Sequence, residues 1–214
     1  MNEINKINEQ EIIDNFHKLY YHKGSTWQKT YWMGIPIQKT PMDLFIYQEI
    51  LYEVRPDLII ETGTLHGGST YYMAHICDIL GDGRITSIDI NLNKNRPFHP
   101  RINYLTGSST DPKIIEKLEA KITKNMNVLV ILDSDHSQAH VRRELDLYNK
   151  FVTKDSYLIV EDSNINNHPV YAKHGPGPME AIDEFLKDNN KFIIDKSREK
   201  FLLTFNPRGY LKRV

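Results

Sequence analysis

From about residue 57 onward, short unbroken apolar runs alternate with longer segments in which apolar residues recur every three or four positions. The runs "DLIIETG" (57–63), "GRITSIDI" (83–90), "INYLTGS" (102–108), "MNVLVILDSD" (126–135) and "SYLIVEDSN" (156–164) read as strands buried on both faces. Helical spacing predicts helices over 68–80, 111–123, 137–152 and 178–188, the last after a "GPGP" loop. Two final runs, "KFII" and "KFLLTF", read as a closing pair of strands. Strands and helices in this order imply an α/β fold, a mostly parallel sheet with helices on both faces.

Ahead of the alternation, Ile12, Phe16 and Leu19 share one face of a short amphipathic helix over 9–21. An aromatic loop follows, carrying Trp27, Tyr31 and Trp32. Thr40 is placed to cap a helix that has Pro41 at its first position and Asp43 in its first turn. Leu44, Tyr47, Ile50, Leu51 and Val54 continue that helix until Arg55-Pro56 stops it. The expected division is a cap or oligomer contact over 1–40 and one α/β domain over 41–214.

Acidic residues gather at the strands' carboxyl ends: Glu61, Asp89, Asp133 with Asp135, and Glu161 with Asp162. In open parallel sheets that edge is where ligands bind. The loop "ETGTLHGGST" joins a strand to a helix through three glycines, but its spacing is not that of the dinucleotide fingerprint. Asp89 ends the second strand, where a carboxylate can accept from both hydroxyls of a ribose. Ser108 and Ser109 end the third strand, where an adenine edge would lie. Together these describe an adenosine ligand without a pyrophosphate, a description that S-adenosylmethionine fits.

Asp135, Glu161 and Asp162 would converge from the fourth and fifth strands. Carboxylates so crowded repel one another unless a cation is shared. All-oxygen ligation suits Mg²⁺, with Mn²⁺ or Ca²⁺ as alternatives. Helix capping or pairing with Arg142, Arg143 or Lys173 is the structural alternative. His136 is the proton acceptor expected beside such an ion, since imidazole titrates near neutrality. His140 falls on the following helix, and His168 and His174 flank a loop that could fold over the site.

Composition narrows the partners. A net charge of −1 argues against nucleic acid. The single cysteine rules out an internal disulfide and fits a reducing cytoplasm. The polar start "MNEINKINEQ" lacks a signal peptide's apolar segment, and no run approaches a membrane span. The expectation is a cytoplasmic protein, bound to no membrane, that acts on a small hydroxylated molecule as a homo-oligomer.

The segments "TPMDLFIYQEI…RPDLIIETGTLHGGS", "VLVILDSDHS" and "YLIVEDSNINNHPV…GPGPMEAI" resemble the cephalosporin hydroxylase family, over nearly the whole chain. That family is related to macrolide-sugar and catechol O-methyltransferases. The resemblance implies a Rossmann-type, S-adenosylmethionine-dependent methyltransferase fold with a Mg²⁺ site. Glu61, Gly63, Gly67 and Ser69 would then line the methionine portion of the cofactor, Asp89 would hold the ribose, and Asp133 would face the amino group. Asp135, Glu161 and Asp162 would hold the metal. The catechol enzymes place a lysine base three residues after their first metal aspartate. Here that offset from Asp135 falls on Gln138, and from Asp133 on His136. Either the register differs and Asp133 is the ligand, or the base has changed; the separation of the "DSDHS" and "ED" segments favours Asp135. The expected activity is transfer of a methyl group to a hydroxyl of a sugar or specialised metabolite. The alternatives are a metal-dependent hydroxylase or hydrolase and a non-catalytic adenosyl-binding subunit of a biosynthetic complex.

Overall fold

A computed structural model of the chain describes residues 8–214; the first seven, which form most of the polar start, lie outside the described residues. Helix α1 (Glu9–His22) is followed by a 3₁₀ turn (Thr26–Lys29) and a two-stranded hairpin, β1 (Tyr31–Trp32) and β2 (Ile35–Pro36). Helix α2 (Pro41–Val54) then leads into β3 (Leu58–Thr62), α3 (Gly68–Leu80), β4 (Arg84–Asp89), β5 (Ile102–Thr106), α4 (Pro112–Glu119) and β6 (Val128–Leu132). Helix α5 (Gln138–Tyr148), β7 (Tyr157–Val160), α6 (Pro178–Asp188), β8 (Phe192–Ile194) and β9 (Tyr210–Arg213) complete the order.

The seven-stranded sheet runs β5-β4-β3-β6-β7-β9-β8. Strands β3 to β7 are parallel, and β9 is antiparallel to both of its neighbours. The chain builds outward from β3 through β4 and β5 on one side, then returns to add β6 on the other. Strand order therefore reverses between β3 and β6, and a crevice opens there at the carboxyl ends.

Alternate residues of each strand serve opposite faces. Ile60, Val130, Leu158 and Val160 pack with Ile114, Leu145, Ile182 and Phe185 of α4, α5 and α6. Ile59, Leu129, Ile131 and Ile159 pack with Ile46, Ile50, Met73 and Cys77 of α2 and α3. Caps fix the helix starts. Thr40 Oγ1 accepts from the Met42 amide and Asp111 Oδ1 accepts from the Lys113 amide, each with proline at the first helical position.

Three expectations change. Strand β5 lies at the sheet's edge and is partly exposed, not buried on both faces. "KFLLTF" is not a strand, because the Phe205 amide and the Thr204 hydroxyl are both committed to the buried Asp43 carboxylate. The partner of β8 is instead "YLKR" of β9, whose Tyr210 and Leu211 are fully buried. Helix α1 forms as expected, but Ile12, Phe16 and Leu19 are 47–55% exposed. It docks through its other side, where His17 stacks on Phe205 and bonds Asn164, and Tyr20 and Tyr21 meet Phe205 edge-on.

Candidate active site

The sheet ladder sets the site's floor. The Asp133 amide donates to Thr62 O at 3.0 Å, and the Glu161 amide donates to Leu132 O at 3.0 Å, so the tips of β3, β6 and β7 are held level. Gly63 sits among them with φ +83°, and a Cβ there would lie 1.8 Å from the Asp133 carbonyl oxygen. Only glycine allows that approach. A cleft of about 590 Å³ opens above these tips. Gly63, Ser69, Asp89, Ser108 and Ser109 line one end; Asp133, His136, Glu161 and Asp162 line the other.

At the first end, Asp89 accepts from the Leu65 and Asn91 amides, each at 2.8 Å. The Arg96 guanidinium lies 3.0 Å from the same carboxylate, without the alignment of a hydrogen bond, and Arg96 Nε donates to Leu65 O. A carboxylate offers about four lone-pair sites, so Asp89 keeps capacity for a ligand hydroxyl. Ser109 and Ser134 both approach His140 Nε2, at 3.2 and 3.1 Å. The Glu144 carboxylate next to His140 raises its pKa. Glu61 and Gly67 do not line the cleft. Glu61 is fully buried behind it, its carboxylate taken by the hydroxyls of Ser69, Thr70 and Ser87, and burial holds that carboxyl above its usual range. Gly67 caps α3 in the left-handed region and faces Pro97 and Tyr104.

At the second end, a ring nitrogen of His136 and one oxygen each of Asp133 and Asp162 lie within 4.8 Å of one another. His136 Nε2 is 3.2 Å from Asp162 Oδ2 and 4.0 Å from Asp133 Oδ1. Asp162 adopts φ +54°, a strained backbone for a non-glycine residue of the kind found at functional sites. Its amide is held by Asn206 Oδ1 at 3.1 Å. Burial raises the Asp133 and Asp162 carboxyls above their ordinary values; among neighbouring charges, Asp162 adds to the effect on Asp133, and Glu161 to that on Asp162.

The structure does not bring Asp135 to this cluster. Its side chain accepts from the Ser137 amide at 2.8 Å and the Ser137 hydroxyl at 2.5 Å, in an exposed Asx turn that opens α5. Those two donors pull the Asp135 carboxyl below the usual range. The position two residues earlier is the one that stays in the ladder. Glu161 does reach the floor, but Lys39 claims it.

Lys39 was not anticipated. Its Nζ lies 2.9 Å from Asp133 Oδ2 and 2.6 Å from Glu161 Oε1, with only 6% of the side chain exposed. Burial pulls its pKa down, yet Asp133 and Glu161 together hold it well above the ordinary lysine value. The Tyr47 hydroxyl donates to the same Glu161 oxygen. Nothing local marks Lys39 in the sequence, where it is one lysine before a helix cap. An aromatic wall completes this end: Tyr21 stacks on Trp27 with ring centroids 5.3 Å apart, and Phe205, Tyr171 and His174 join them along the cleft.

Residues 24–214 match the family Rhamnosyl O-methyltransferase/CmcI. The rhamnosyl O-methyltransferase of Mycobacterium bovis is 40% identical over 212 residues, covering 94% of this chain and 85% of the relative. That of Mycobacterium leprae is 38% identical over 208 residues, covering 94% and 90%. Among solved structures, CmcI with Mg and SAM superposes with a TM-score of 0.67 at 22% identity, covering 87% of this chain and 77% of that one. The chain belongs to the Rhamnosyl O-methyltransferase/CmcI family and is an O-methyltransferase by class.

Proposed function

We propose that the chain transfers a methyl group from S-adenosylmethionine to a hydroxyl of a sugar-bearing small molecule, with a divalent cation held at the tips of β6 and β7. The observation that carries this reading is the cleft's division: a ribose-competent carboxylate and serines at one end, and paired aspartates with an imidazole at the other.

The donor set suits the ion. Carboxylate oxygens are the donors a hard divalent cation takes, and Asp133 and Asp162 offer one each within 4.8 Å of one another and of a His136 ring nitrogen. Asp133 and Asp162 would hold the ion, since Mg²⁺ is commonly bound through one or two carboxylates and several waters. The ion would supply Lewis acidity that makes a hydroxyl easier to deprotonate. His136, beside Asp162, would accept the hydroxyl proton at Nε2. Asp89 would receive the ribose hydroxyls, and Gly63, Ser69, Ser108 and Ser109 would shape the remainder of the donor pocket. Asp133, with one oxygen on Lys39, would face the donor's amino group through the same carboxylate. S-adenosylmethionine supplies the electrophilic methyl; the chain's contribution is to align an oxygen in line with it.

The acceptor lies at the aromatic end. Tyr21 and Trp27 present flat, partly exposed rings beside Asp162, and such surfaces suit the apolar face of a pyranose ring. The rhamnosyl relatives support a deoxysugar as that ring. Residues 9–40 would form the cap over this end, since Tyr21, Trp27 and Lys39 all reach the cleft. The uncovered apolar side of α1 supports self-association of that cap. No described helix is long and apolar enough to cross a membrane.

Calorimetry with S-adenosylhomocysteine, followed by a methyl-transfer assay on rhamnosides with and without chelator, tests the proposal. Saturable binding and chelator-sensitive turnover are expected. Absence of S-adenosylhomocysteine binding overturns the donor assignment, and undiminished turnover after chelation overturns the metal.

A further inference from the structure

Asp133, Glu161 and Asp162 crowd three negative charges at the tips of two adjacent strands, and Lys39 brings one buried positive charge among them. Two negative charges remain, the complement of one divalent ion. The ammonium is not a surface ornament. Its carbons thread from the chain just before α2, its head touches both strand tips, and the side chain is almost wholly enclosed. A surface ion pair is worth little, but a buried one with both partners fixed dominates the local field.

We propose that Lys39 is a resident counter-charge that trims the acidic cluster to the charge of one divalent cation and weakens its hold on that cation. It is a positioning residue: it touches Asp133 and Glu161, not the reacting atoms. The inference rests on the reading of Asp133 and Asp162 as ion-binding groups. Two consequences follow from electrostatics. The ion feels a like charge close by, so affinity is lower than the three carboxylates alone would give. The repulsion scales with the ion's charge, so a trivalent ion is disfavoured more than a divalent one. Lys39 therefore also contributes to selectivity among hard cations that would otherwise compete for oxygen donors. One oxygen of Asp133 stays on the ammonium, leaving the other directed toward His136.

The test is the affinity of the full chain for Mn²⁺ and for Tb³⁺, by calorimetry, in wild type and six variants. Lys39→Met should bind Mn²⁺ about tenfold or more tighter, and Tb³⁺ should gain about 1.5 times as much on a logarithmic scale, roughly thirtyfold. Lys39→Arg keeps the charge and should stay within about threefold of wild type. Because Lys39→Met leaves two carboxylates unpaired, it could unfold the chain. Glu161→Gln and Lys39→Met/Glu161→Gln give the same comparison with only Asp133 left without the ammonium. The double variant should bind Mn²⁺ about tenfold more tightly than Glu161→Gln and return to within about threefold of wild type. Equal or weaker Mn²⁺ binding without the lysine, in variants whose melting and S-adenosylhomocysteine affinity are retained, overturns the proposal. A gain no larger for Tb³⁺ than for Mn²⁺ overturns it as well. If Asp133→Asn and Asp162→Asn bind Mn²⁺ as wild type does, the fault lies instead in the site assignment.

Discussion

At the tip of β4, Asp89 accepts from two backbone amides, with the Arg96 guanidinium 3.0 Å away. At the tips of β6 and β7, Asp133 and Glu161 share one buried lysine ammonium. Two amide donors leave a carboxylate lone pairs with which to accept further hydrogen bonds, which suits a group that grips a neutral hydroxyl. An ammonium among crowded acids instead sets the total charge, which suits a group that grips an ion. The same chemical function, a carboxylate at a strand's end, is turned to two uses by what surrounds it.

Four substitutions break or sharpen this contrast, in falling order of effect. His136→Ala removes the one base between the acid pair, and kcat for methyl transfer should fall about 10²–10⁴-fold, with donor affinity by calorimetry nearly unchanged. A fall confined to KM would contradict the assigned role.

Asp43 lies next to the acid end, 1% exposed, and accepts from Thr204, the Phe205 amide and Tyr210 with no cation at hand. Burial raises its pKa from 3.8 to about 7. The folded state thus keeps a proton that the unfolded chain has released, so this group's stabilisation is full at low pH. It is lost as pH rises through about 7. Thermal unfolding of the metal-free protein should show a decline from pH 5 to pH 8 that is shallower in Asp43→Asn, by on the order of 3 kcal/mol. Parallel pH profiles would refute the assignment.

Asp89→Ala probes the opposite end. Loss of charge-assisted hydrogen bonds to a ribose should weaken S-adenosylhomocysteine by about 1.5–3 kcal/mol, while kcat at saturating donor stays within a few-fold. The smallest effect belongs to Asp135→Asn. The asparagine amide oxygen can accept from the same two Ser137 donors, so stability should change by about 0.5 kcal/mol or less, with Mn²⁺ affinity intact. A large drop in that affinity would restore Asp135 to the metal site.

The architecture was legible because buried parallel strands leave a pattern that tolerates little else: β3, β4, β6 and β7 all fall inside the apolar runs that announce them. Helix α3 runs over the residues its spacing predicts, since glycine stands at both ends. The choice between Asp133 and Asp135 turned on a finer matter. The tripeptide Asp-His-Ser at 135–137 is itself an Asx-turn signature, which would have assigned Asp135 to the helix start. Lys39 was beyond reach, since its role depends on contacts across 94 and 122 residues of chain. Strand β9 was hidden for a different reason. Its two apolar residues, Tyr210 and Leu211, run straight into Lys212 and Arg213 with no alternation, and the basic residues around it suggest a solvated surface.

The contact between Gly63 and the Asp133 carbonyl leaves no space for even a methyl group between the loop that would embrace the donor and the strand that would present the acceptor. Whatever acceptor enters, the reach from one substrate to the other would be set by the skeleton of the sheet and not by any adjustable side chain. Relatives of this chain could then trade acceptors freely along the aromatic wall while the distance a methyl group must travel stays the same.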